Sequence, residues 1–155
     1  MKRFVCLLVI LCLAGQATAI AAVRGKAAKY VGGTIATLPE KTQGKLDLQE
    51  GAAVFVAKND TKLTIPYAKI ESLEYGQKAG RRVGVALAVN PLFLFSKKRK
   101  HFLTIGFLDE AGKKQGAVLE LAKGVVRETL STLETKSGKK VEYESEEAKK
   151  HAAKQ

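Results

Sequence analysis

Six cations arranged as two clamps carry the most chemistry this sequence offers. Arg81 and Arg82 form one clamp, and Lys97, Lys98, Arg99 and Lys100 form the other. Between them thirteen residues, Val83 to Phe95, run without a charge and end in Leu92, Phe93, Leu94 and Phe95. Such a segment suits an anionic surface. Each flanking cation near that surface adds about 1 kcal/mol, and each buried apolar anchor adds at most roughly 1.5–3 kcal/mol. Thirteen helical residues reach only about 20 Å, short of the ~30 Å hydrocarbon core. Asn90-Pro91 would also break such a helix. Three roles are therefore open to the run: dipping into an interface, offering an apolar surface to another protein, or folding back to complete the core.

Other reactive groups are sparse. His101 follows the second clamp and His151 lies near the C-terminus. Neither has a ligand three or four residues further on, and four neighbouring cations repel a metal from His101. Ser96 and His101 are five residues apart, which holds two side chains well separated in an extended chain. No G-x-S-x-G elbow, P-loop or G-x-G-x-x-G is present. Asp47, Asp60 and Asp109 fall at strand ends or turns, where acids satisfy local backbone donors. Phe93 and Phe95 are not interleaved with cations on a strand face, as stacking on nucleic acid would require. No catalytic residue, metal, cofactor, small-molecule substrate or nucleic-acid partner is expected.

The elements that must position the clamps begin after a leader. Lys2 and Arg3, the apolar run Phe4 to Leu13 and the small-x-small triplet Ala17-Thr18-Ala19 read as a secretory signal peptide over residues 1–19, cleaved before Ile20. The apolar run is too short to span a bilayer, and Leu11 is bulky where a lipid attached at Cys12 would want a small neighbour. Cleavage removes Cys6 and Cys12, so disulfides are excluded from an exported chain that must rely on its core. It also removes two positive charges, taking the formal charge from +12 to +10. A basic exported protein meets anionic lipid headgroups, acidic polymers or acidic partners.

The remaining chain is of single-domain size. Residues 20–28 read as a loose lead-in. Strands are expected over Tyr30 to Ile35, Lys45 to Leu48, Ala52 to Ala57, Lys62 to Tyr67, Ile70 to Tyr75, His101 to Leu108 and Gln115 to Leu121. Lys58-Asn59-Asp60-Thr61 is a hairpin turn. The period then changes: Ala122, Val126, Leu130 and Leu133 form one stripe of a helix, with Gly138 as its C-terminal cap. Lys139 to Tyr143 reads as a short extended piece. Residues 144–155, charged and alanine-rich with no apolar stripe, read as frayed helix or disorder.

Seven antiparallel strands followed by an amphipathic helix give a mainly β fold in which the helix plugs the open end of a bent sheet. The chain here resembles the pleckstrin-homology-like superfold, and more closely its GRAM-type and bacterial variants, over Lys29 to Gly138. The residues carrying the resemblance begin with Tyr30-Val31-Gly32-Gly33 and Ile65-Pro66-Tyr67. They continue through Ile70-Glu71-Ser72-Leu73-Glu74-Tyr75-Gly76 and Lys100-His101-Phe102-Leu103-Thr104-Ile105 to the terminal helix. In that family an IP-x-x-x-I stretch joins the fourth and fifth strands, as Ile65-Pro66 and Ile70 would here. The resemblance implies a seven-stranded, partly open barrel over residues 29–143, capped by a helix, with residues 77–99 as an insertion loop. It implies a non-catalytic binding or scaffolding module; GRAM-type domains are mostly cytoplasmic, and it is the signal peptide that sets this module at the cell envelope, in a secreted or periplasmic setting. The expected partner is an anionic lipid surface or, in the alternative reading, another envelope protein recognised with no lipid role.

Overall fold

A computed structural model describes residues 25–77 and 100–154. Residues 1–19, expected to be a signal peptide, residues 20–24 of the lead-in, and 78–99 of the insertion lie outside the described residues. The chain is mainly β. Its strands are β1 (Lys26–Gly33), β2 (Thr42–Leu48), β3 (Ala52–Ala57), β4 (Lys62–Pro66), β5 (Ile70–Gly76), β6 (His101–Leu108), β7 (Lys114–Leu121) and β8 (Val141–Tyr143). Two helices complete it, α1 (Val126–Ser137) and α2 (Glu146–Ala153). The strands form one open sheet in the order β4-β3-β2-β1-β7-β6-β5-β8.

Alternation explains most of the sheet. Tyr30, Leu46, Phe55, Ile65, Leu73, Leu103, Ile105 and Leu119 face one core, and each is at most 2 % exposed. Tight turns close two of the hairpins. Between β3 and β4, Asp60 takes a left-handed φ of 62° and its amide donates to the Ala57 carbonyl at 3.0 Å. Between β6 and β7 the Asp109 carboxylate accepts from the amides of Ala111 and Lys113, at 2.9 and 2.8 Å, and from Gln115 Nε2 at 2.8 Å. Those bonds, Gln115's first, hold its carboxyl below the usual range.

β1 carries a bulge between Tyr30 and Gly32 where it pairs with β7. Gly33 ends it at φ +152°, and a Cβ there would sit 2.2 Å from the Gly116 carbonyl oxygen. Only glycine allows β1 and β7 to close at this point.

The helices lie on the core side. Val126, Leu130 and Leu133 of α1 are at most 2 % exposed, as the sequence spacing anticipates, and Thr129 joins them. Gly138 stops the helix in a left-handed conformation (φ 68°), its amide bonded to the Glu134 carbonyl. Lys136 reaches back to the carbonyls of Leu48 and Gln49 and lies 5.4 Å from the Tyr67 ring centroid. Tyr67 Oη donates to the same Gln49 carbonyl at 3.0 Å, so helix, turn and sheet meet at one polar knot.

Several expectations are corrected. β1 starts at Lys26 and Ala28 is core, so the end of the 20–28 lead-in is strand: it pairs with β2 through Lys26, Ala27 and Ala28. β2 begins at Thr42 rather than Lys45. Tyr67 leaves β4 for a one-turn 3-10 helix, Tyr67–Lys69, because Pro66 cannot donate to the ladder. The extended piece after α1 is an eighth strand that pairs parallel to β5, so the sheet is mixed rather than wholly antiparallel. The 144–155 tail, expected as frayed helix or disorder, holds a capped helix packed on the core. Ser145 caps α2 by accepting from the Ala148 amide at 3.1 Å, and Ala148 and Ala152, one turn apart, are buried in the core.

Candidate functional site

The insertion leaves and rejoins the sheet at neighbouring points. Gly76, at the end of β5, pairs with Phe102 at the start of β6. Both exits are pinned by acids. The Gln77 amide donates to Glu144 Oε2 at 3.0 Å, and Lys100 Nζ pairs with Glu120 Oε2 at 3.1 Å. Of the expected cations only Lys100 falls among the described residues, and its ammonium is engaged by Glu120. Arg81, Arg82, Lys97, Lys98 and Arg99, with Leu92, Phe93, Leu94 and Phe95, lie outside the described residues.

Beside Lys100, His101 and Tyr75 form a short polar contact, His101 Nδ1 to Tyr75 Oη at 2.6 Å. The rings stack 6.2 Å apart, and Tyr143 approaches Tyr75 edge-on at 6.0 Å. Burial, with a smaller contribution from Tyr143, pushes the Tyr75 phenol up to about 12. Burial first, then the nearby His151 and Lys123, lowers the His101 pKa. Tyr75 Oη and His101 Nδ1 are thus spent on one another at the strand end from which the insertion departs. Among the described residues no three His, Cys, Asp or Glu side chains gather as a metal site would need.

The same end of the sheet carries a feature that sequence reasoning missed. One backbone row runs from His101 through Leu121, Ala28 and Gly44 to Ala57. Over it, on the face away from the core, lies a groove of about 630 Å³ across β7, β1, β2 and β3. Its apolar walls come from Ala27, Val56 and Ala122, and Lys29, Lys45 and Lys58 border it. None of these lysines is ion-paired among the described residues. The sequence signal was the outward position of Lys29 and Lys45 in their strands and the place of Lys58 at the start of a hairpin turn. What the sequence lacks is the register that sets three strands side by side.

The chain matches no known protein family, and no curated protein matches it in sequence.

Proposed function

We propose that the protein is a non-catalytic binding and scaffolding module of the cell envelope. In this reading it is an exported pleckstrin-homology-like, partly open barrel capped by α1, which touches an anionic membrane surface through the insertion between β5 and β6. The observation that carries the reading is the pairing of Gly76 with Phe102 beside the anchored Gln77 and Lys100. It ties both ends of a basic-flanked apolar run to one end of the sheet. The element order supports the barrel: a four-strand meander, a proline-marked turn into β5, a three-strand meander, then a helix whose apolar stripe is buried. The charged start, apolar run and Ala17-Thr18-Ala19 triplet support export.

The test is co-sedimentation of the chain from Ile20 onward with anionic and neutral vesicles at low and high salt. Binding should be confined to anionic vesicles and weaken steeply with salt. Phe93→Ser with Phe95→Ser, folded by circular dichroism, should lose it. If the parent does not bind and the double variant unfolds, the phenylalanines belong to the core. The lipid reading then fails, and the alternative of an envelope-protein partner takes its place.

A further inference from the structure

We propose that the groove across β7, β1, β2 and β3 binds a fatty-acid carboxylate. The site is separate from the membrane contact proposed for the insertion and is built only from described residues. Its volume, about 630 Å³, lies within the roughly 300–1,000 Å³ usual for small-molecule sites.

Two rows of outward side chains give the groove an amphiphilic pattern. In the first, Lys29 pairs in register with Gln43, and the Lys58 amide donates to the Gln43 carbonyl at 3.0 Å. Two ammonium groups on flexible stems thus flank a side-chain amide, and all three are donors suited to a carboxylate. Glu120 is the cross-strand neighbour of Lys29, but its carboxylate is taken by Lys100. Lys29 is left with no ion pair among the described residues. Asp60 lies at the same rim, so three lysines face one uncompensated acid and the rim is net cationic.

The second row is apolar. The Ala122 amide bonds the Ala27 carbonyl at 3.2 Å, and Ala27 pairs with Lys45, which pairs with Val56. Lys45 lays a methylene stem between Ala27 and Val56. From β7 to β3 this row crosses three strand spacings, about 14 Å, which suits a medium-length acyl chain. Lys29 and Lys58 on one row, and on the next the methyl groups of Ala27, Val56 and Ala122 about the stem of Lys45, match a ligand with one anionic end and one apolar body. A free phosphate would leave the second row unused, and a cationic amphiphile would face the lysines.

The purified protein would be titrated with dodecanoate below its micelle-forming concentration and followed by methyl and amide NMR. Dodecyltrimethylammonium serves as the charge-reversed control. Dodecanoate should shift Ala27, Val56, Ala57 and Ala122, and the cationic amphiphile should not. Lys29→Gln with Lys58→Gln should weaken binding at least about tenfold. Val56→Glu, which sets a carboxylate in the groove, should abolish it. The Phe93→Ser, Phe95→Ser variant should still bind, which keeps this site distinguishable from the insertion. No shifts with dodecanoate, equal response to the cationic amphiphile, unchanged affinity in the lysine variant, or shifts confined to residues elsewhere would each overturn the proposal. If Val56→Glu fails to fold, the lysine pair alone decides.

Discussion

Individual side chains at the insertion end set conditions on the fold as much as on any ligand. Burial, His151 and Lys123 hold the His101 pKa below its ordinary 6.5, so the unfolded chain accepts a proton that the folded chain resists. The folded state is therefore fully favoured above about pH 6.5 and loses stability as the pH falls below it. The charged groups that add to burial are His151 on α2 and Lys123 after β7, while Tyr75 on β5 holds Nδ1 and Tyr143 on β8 packs behind Tyr75. Urea midpoints of the parent should drop between about pH 7.5 and about pH 5.5. His101→Gln can still accept from Tyr75 but does not titrate, so its midpoint should drop less; an equal drop would remove His101 from the account. A second residue-scale constraint is Gly33. Alanine there would drive its Cβ against the Gly116 carbonyl at 2.2 Å and hold a positive φ. Gly33→Ala should cost about 2–3 kcal/mol in chemical denaturation, and a loss under about 0.5 kcal/mol would mean that β1 and β7 part easily there.

Elements with a strong pattern were legible and those with a weak one were not. β3 runs over Ala52–Ala57 as its continuous apolar run indicates, and α1 buries Val126, Leu130 and Leu133 of its expected stripe, while Ala122 falls before the helix and faces the groove. The start of β1 reads as loose because alanine carries little hydrophobic signal, yet backbone pairing to β2 recruits Lys26 to Ala28. The docking of α2 was hidden for the same reason, and the tail reads as no more than frayed helix or disorder. Two alanines among charges look like no stripe, but Ala148 is 1 % exposed and Ala152 3 %, and small side chains suffice when a helix sits close to its neighbours. This makes α2 part of the core rather than an appendage. Ala148→Glu would bury an unpaired carboxylate and should cost about 2–3 kcal/mol. Hydrogen exchange should then speed up through Glu146–Ala153 and in β8, with β1 to β4 still protected. Unchanged protection in α2 would show that the helix docks without Ala148.

At the scale of the whole molecule, the seven main strands and the helix after them follow from alternation and a change of period, both local signals. The open, mixed sheet does not, because it depends on which strand pairs with β5, and β8 takes that place across a separation in sequence. The groove was equally illegible: Lys29, Lys45 and Lys58 are neighbours only through the register of β1, β2 and β3. An open sheet also has edges to protect. β8 is three residues long and β4 five. β4 exposes Lys62 and Thr64 and ends at Pro66, which has no amide to offer a passing strand. Short length, a lysine and a proline are the usual defences of an edge against pairing with another chain. If they serve that purpose here, making the edge apolar should promote self-association without unfolding. Lys62→Val with Thr64→Val keeps β-compatible side chains and leaves the inward Leu63 and Ile65 untouched. Light scattering across a concentration series should show the variant assembling at concentrations where the parent does not, with the circular dichroism of both alike. If the variant assembles no more than the parent, lysine and threonine are not what guards this edge, and the shortness of β4 is left to do so with Pro66.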